Sequence, residues 1–96
     1  MTATRAIIAD GSLPRLPQHV KLRFDQRRNR WIVLAPERVL MPDDVALEIL
    51  KRCDGATSVS AIIESLAEVY EASAEEIGED VAELLQDLAD KGFVQL

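Results

Sequence analysis

This chain is poor in the residues that do chemistry. Its 96 residues include one cysteine, one histidine, one tryptophan, one tyrosine and two phenylalanines. A single cysteine excludes an internal disulfide and fits a reducing, cytoplasmic setting. Cys53 and His19 lie far apart in sequence, whereas a structural zinc site needs four ligands, usually in close pairs. With aromatics at 4%, the core has to be aliphatic, and a 48% hydrophobic content is enough to build one. No apolar run nears the roughly 20 residues that span a bilayer. The opening MTATRAIIADGSLPRLPQ lacks the long apolar stretch of a cleaved signal peptide. Neither G-x-G-x-x-G nor G-x-x-x-x-G-K occurs, so no phosphate-cradling loop is expected.

What the chain does have is charge, unevenly placed. Residues 1–42 carry eight Lys and Arg against three Asp and Glu; residues 43–96 carry three against fourteen. The net charge of −6 thus averages a basic front and an acidic back. Such a split suits charged protein partners better than a nucleic acid.

The length suits one small domain. Residues 1–18 hold Gly11, Ser12, Pro14 and Pro17 and show no periodicity, which predicts a flexible tail or linker ahead of a domain over 19–96. Val20, Leu22 and Phe24 then alternate with Lys21, Arg23 and Asp25, the spacing of a strand. The polar DQRRNR turns the chain into Trp31–Leu34, giving a hairpin, and Glu37–Met41 reads as a short third strand. Pro42 ends the sheet because it has no N–H to donate.

Three helices follow. The first is expected over Asp43–Cys53, with Val45, Ile49, Leu50 and Cys53 on its apolar face and Gly55 as its stop. The second is capped by Thr57 or Ser58 and carries Val59, Ile62, Ile63, Leu66 and Tyr70 at helical spacing. The third starts at a Ser73-x-x-Glu76 capping box, carries Ile77, Val81, Leu84, Leu85 and Leu88, and stops at Lys91-Gly92. Phe93–Leu96 is expected to return to the sheet as a terminal strand. The predicted fold class is α+β: a three-stranded antiparallel sheet followed by a three-helix bundle, like a winged helix-turn-helix.

WIVLAPERVL, residues 31–40, combines a buried-strand run with a proline and two charges. Pro36 belongs at a sheet margin, and Glu37 and Arg38 discourage indiscriminate pairing. A guarded edge can also accept one chosen strand, through main-chain hydrogen bonds and side-chain pockets. Val39, Met41, Val81, Leu84 and Leu85 could line a groove there or could be ordinary core; periodicity does not separate the two.

Catalysis has little to stand on. Cys53 reads as a small core residue, His19 as an exposed linker residue, and neither has an evident third partner. DNA binding fares no better. The third helix would be the recognition helix of a winged-helix protein, yet it holds Glu75, Glu76, Glu79, Asp80, Glu83, Asp87 and Asp90, which a duplex would repel. The basic hairpin, with Arg23, Arg27, Arg28 and Arg30, leaves open a degenerate winged-helix regulator or adaptor acting through it on nucleic acid or an acidic protein.

The residues LAPERVL (34–40), CDG (53–55), Asp80-Val81 and Leu84-Leu85-x-x-Leu88 ahead of Gly92 resemble the pyrroloquinoline quinone biosynthesis protein D family, PqqD. The resemblance runs from about Pro17 to Leu96; MPDDVA (41–46) departs from the family pattern. It implies a non-catalytic peptide chaperone with no cofactor and no metal, the recognition element of ribosomally made, modified peptides. It implies two partners, the precursor peptide PqqA and the radical S-adenosylmethionine enzyme PqqE, and neither nucleic acid nor membrane. By that resemblance the peptide adds as a strand in a groove between Pro36, Glu37, Arg38, Val39, Leu40 and Met41 on one side and Ile77, Asp80, Val81, Leu84 and Leu85 on the other. Some family members are joined to another enzyme of the pathway, which makes residues 1–16 a candidate linker remnant. An edge that accepts a peptide can also accept a second copy, so a homodimer by strand exchange is a further expectation.

Overall fold

The computed structural model describes residues 6–96. Three strands come first, β1 (Lys21–Asp25), β2 (Arg30–Ala35) and β3 (Arg38–Leu40). Three helices follow, α1 (Asp44–Lys51), α2 (Val59–Tyr70) and α3 (Ala74–Asp90). The sheet is antiparallel in the order β1-β2-β3, so the α+β expectation holds.

Local chemistry explains both hairpin turns. Asp25 accepts hydrogen bonds from the Arg27 and Arg28 N–H groups and pairs with the Arg28 guanidinium. Asn29 closes that turn at φ 53°, a left-handed conformation that Asn tolerates well. The second turn has only two residues, Pro36 and Glu37, since Ala35 already pairs with Arg38. Proline fixes its own φ near −65°, and Glu37 sits at φ 61°, the combination of a type II turn.

Register divides the sheet into two faces. Leu22, Val33 and Leu40 pair in one row on the inner face, where Val33 is fully buried. Lys21, Leu34 and Val39 pair in a row on the outer face. Against the inner side pack Ile49 and Leu50 of α1, Ile62 and Leu66 of α2, and Val81, Leu85 and Leu88 of α3. Trp31 meets Phe24 edge to face at 5.8 Å and lies under the Lys51 ammonium at the end of α1, so it links the hairpin to the first helix.

All three helices begin on a side-chain cap. Asp43 accepts from Ala46 N–H at 2.8 Å, Ser58 from Ala61 N–H and Ser73 from Glu76 N–H, both at 3.1 Å. Asp43 is therefore the cap of α1 and not its first residue, and the helix stops at Lys51, short of Cys53. Val45 is 45% exposed, and Ala46 takes the inward position instead. Tyr70 likewise faces solvent. At the end of α3, Gly92 takes φ 82°, its N–H bonds to the Ala89 carbonyl, and Phe93 N–H reaches the Leu88 carbonyl. This is a Schellman closure, with Phe93 and Leu88 both buried.

The first segment departs from the expected tail. From Ala6 onward the segment lies on the body of the domain. Ile8 N–H donates to Gln86 Oε1 at 2.9 Å, Pro14 and Pro17 are buried, and Arg15 exchanges two 2.8 Å main-chain bonds with Gln95. Proline-rich sequence lacks periodicity but still packs when its carbonyls find donors, as Pro14 does with Gly55 N–H at 2.9 Å. Residues 1–5 lie outside the described residues. The C-terminal strand is corrected by the same contacts: Gln95 pairs with Arg15 and does not join the three-stranded sheet.

Two predictions concern this seam. Gly55 sits at φ 78°, and a Cβ there would lie 3.3 Å from the Arg15 Cβ. Gly55→Ala should cost about 1–2 kcal/mol of stability, read as a lower urea midpoint at unchanged slope. Beside it, Asp54 accepts from Ala56 N–H, Thr57 N–H and the Thr57 hydroxyl, and these bonds hold its carboxyl below its ordinary value of 3.8. Because the folded pKa is depressed, this stabilisation is present above pH ~4 and lost as pH falls through the folded value. Asp54→Ala should lower the melting temperature at neutral pH and weaken its decline between pH 5 and 3 (roughly the span in which such a carboxylate titrates).

Candidate functional site

β3 is one of the two edge strands of the sheet, and its far side pairs with nothing in the sheet. The two-residue turn makes Ala35 and Arg38 a hydrogen-bonded pair, so Leu34–Val39 is the non-bonded pair and Val33–Leu40 bonded again. The N–H and C=O of Val39 therefore point away from β2, to the open edge. Its side chain is 52% exposed on the outer face. Leu40 points inward, half-buried against the core, and Met41 beyond it is 46% exposed.

Arg38 joins this strand to α3. Its Nη1 donates to the Lys91 carbonyl at 2.7 Å, and its guanidinium stacks 4.3 Å from the centroid of buried Phe93. Lys91 caps α3, so the cation also meets the negative end of the helix dipole. Along α3, Asp80, Leu84, Asp87 and Lys91 succeed one another at three- and four-residue steps and form one row ending at this contact. Asp80, Glu83, Leu84 and Asp87 line a shallow concavity of about 350 Å³.

The predicted site residues fall into three groups. Pro36 and Glu37 are exposed in the turn, and Arg38, Val39, Leu40 and Met41 follow along the edge. Asp80 is exposed and Leu84 half-buried, both at the concavity. Val81 and Leu85 are 1% and 0% exposed and belong to the core; Ile77 is half-buried against it. Periodicity put Ile77, Val81, Leu84 and Leu85 on one stripe, and only the structure separates its buried centre from its margin. Glu83 and Asp87 also line the concavity. Their three-residue offsets, Glu83 from Asp80 and Asp87 from Leu84, were the available signal.

Cys53 lies apart from this edge. It is buried, its thiol bonds to the Ile49 carbonyl at 3.3 Å, and burial, helped by Asp54, pushes its pKa up to about 12. At neutral pH it is a protonated core thiol, not a thiolate nucleophile. Among the described residues no group of three or more His, Cys, Asp and Glu is placed to hold a metal ion, and no helix is long and apolar enough to cross a membrane.

The architecture is that of a small α+β domain, one of whose two edge strands is tied to the end of a long helix. The family model for coenzyme PQQ synthesis protein D (PqqD) matches residues 30–94, and the chain belongs to that family. It is 60% identical over 94 residues to the PqqA binding protein of Rhodopseudomonas palustris strain BisB5, covering 98% of this chain and 92% of that protein. It is 49% identical over 87 residues to the PqqA binding protein of Bradyrhizobium diazoefficiens, covering 91% and 84%. Among solved structures, the solution structure of the PqqD truncation of Methylobacterium extorquens PqqCD superposes with a TM-score of 0.78 at 39% identity, covering 93% of this chain and 95% of that one. That protein is described as a functional, stand-alone recognition element for ribosomally synthesised and post-translationally modified peptides. The crystal structure of PqqD from Xanthomonas campestris matches at TM-score 0.59 and 42% identity, covering 93% and 99%.

The Arg38 contact carries a prediction for the fold of the edge. Arg38→Ala removes a charged hydrogen bond and a cation–π contact at an exposed side chain, and should cost about 1–2 kcal/mol. Arg38→Lys should recover less than half of that, because an ammonium cannot both stack and donate in plane. Thermal melts of the three proteins test it.

Proposed function

We propose that this chain is a non-catalytic peptide chaperone of pyrroloquinoline quinone biosynthesis, acting in the cytoplasm. It binds the precursor peptide PqqA and presents it to the radical S-adenosylmethionine enzyme PqqE. The reading rests on the open edge of β3, with the Val39 main chain facing outward, and on the Arg38–Lys91 bond that ties this strand to the end of α3. The names of the relatives supply the peptide.

In this reading PqqA adds as a fourth strand. Main-chain bonds to Val39 provide sequence-independent attraction, and Met41, Leu84 and Asp80 provide side-chain contacts. Glu37 and Pro36 bound the site at the turn, and Arg38 holds strand and helix at a fixed separation. Val81, Leu85, Ile77 and Leu40 support the two walls from beneath. Catalytic groups are not required for this role, since the bond-forming chemistry is the enzyme's. The same edge is the surface through which two copies would exchange strands.

Calorimetric titration with synthetic PqqA tests the reading, with a scrambled peptide as control. Saturable one-to-one binding that the scrambled peptide lacks is expected. Val39→Pro is the matching variant. The Val39 N–H serves no bond to β2, so proline is tolerated there as on other edge strands. Loss of the outward donor should weaken PqqA binding about tenfold, the equivalent of roughly 1.4 kcal/mol. Equal affinity in the folded variant would remove β3 from the site.

A further inference from the structure

A strand added to β3 meets two residues in the same phase. Val39 turns its N–H and C=O outward, and Met41, two residues on, is the next in that phase. The Met41 main chain makes no hydrogen bond among the described residues. The phase closes on either side. Two residues before Val39 is Glu37, held left-handed in the turn, and two residues after Met41 is Asp43, which caps α1. The ladder on offer is therefore short, and main-chain bonds do not distinguish one peptide from another. Discrimination falls to side chains. Those of the edge alternate. Arg38 and Leu40 turn inward, Arg38 onto Phe93 and Leu40 onto the core, while Val39 and Met41 turn to the outer face. Edge strands usually guard themselves with charge, yet this outward pair is apolar and about half exposed. The helix has less to give. Val81 and Leu85 are sealed in the core, and Leu84 is half-buried among the carboxylates of Asp80, Glu83 and Asp87.

We propose that PqqA is selected by two apolar side chains, two residues apart, that pack on Val39 and Met41 on the side of the sheet away from the core. The inference rests on the peptide-carrier reading and adds to it the chemistry of the bound segment. A strand sends residues i and i+2 to one face, so the peptide residues paired with Val39 and with Met41 both project outward. Directly paired side chains lie about 4.5–5.5 Å apart at Cβ, close enough to touch. Apolar ones cover the exposed parts of Val39 and Met41; a charged one loses water there and gains no partner. Leu34 backs Val39 across the ladder, so the first contact continues an existing row of the sheet. The residue between the two turns inward beside Leu40. Strand direction does not alter this, because the two-residue period holds for parallel and antiparallel pairing alike. The recognised segment is thus an extended apolar-x-apolar run. A helical segment, whose apolar residues recur at three and four, does not present such a pair.

The test is calorimetry with the full chain and a lysine scan of synthetic PqqA. Two peptide positions, two residues apart, should each lose at least about tenfold in affinity on substitution by lysine, and the residue between them less than about threefold. On the protein, Val39→Glu and Met41→Glu should each weaken PqqA about tenfold at an unchanged melting temperature, since both side chains reach solvent. Met41→Leu should hold affinity within about twofold. Charge rescue reads the pairing: Val39→Glu should recover about threefold for one lysine peptide, and Met41→Glu for the other. Sensitive positions that fall three or four apart overturn the proposal, as does rescue that ignores the two-residue spacing. Self-association in sedimentation that Met41→Glu abolishes, with PqqA affinity intact, overturns it too and gives the pair to a second copy. A wild-type chain that does not bind PqqA removes the carrier reading and this inference with it. Binding that is indifferent to the Val39 and Met41 substitutions removes the inference alone.

Discussion

The guanidinium of Arg38 sets the distance between the free strand and the helix opposite it. It donates to the last turn of α3 at Lys91 and stacks on Phe93, whose ring is fixed in turn by the Schellman closure at Gly92. Without that chain of contacts a three-residue edge strand would be weakly held. Strands so short have few ladder bonds, and β3 pairs with a single neighbour. The edge is therefore built as much from the helix terminus as from the sheet. A planar cation suits the position because it satisfies a carbonyl in its plane and a ring against its face.

How legible this was depended on how local the signal was. Ser73 and Glu76 announced α3 because a cap is a contact over three residues, and the alternation Val20–Phe24 announced β1 for the same reason. The β2–β3 turn was half legible: Pro36 marked it, but the positive φ of Glu37 occupies a position where glycine is usual. What stayed hidden was long-range. Arg15 and Gln95 are eighty residues apart in sequence, and nothing in either segment's composition tells that they pair. The same limit governs the site. Val81 and Leu84 are alike to any periodicity, and only the packing of the core decides that one is sealed and the other half-open.

The charge asymmetry acquires a geometry in the fold. The front of the sequence becomes the hairpin, whose cations sit on the outer face and at its tip. The back becomes the helices, whose carboxylates face water on the other side of the sheet. Few of these charges pair across the two halves; the ion pairs among the described residues are between neighbours in sequence, such as Arg28–Asp25 and Lys91–Asp87. Pairs of that kind contribute little to stability. The domain is thus held by its aliphatic core and its caps, leaving most of its charge to set what approaches each side.

The two-residue turn at Pro36–Glu37 has one more consequence. Because proline fixes one torsion and Glu37 is held left-handed, the turn does not readily slip, and Val39 is always the residue whose main chain is offered outward. A shift of one position would offer Arg38 and Leu40 instead and expose the wrong side chains. The turn therefore acts as a reading frame: it fixes which residue of β3 presents its donor and acceptor to the open edge.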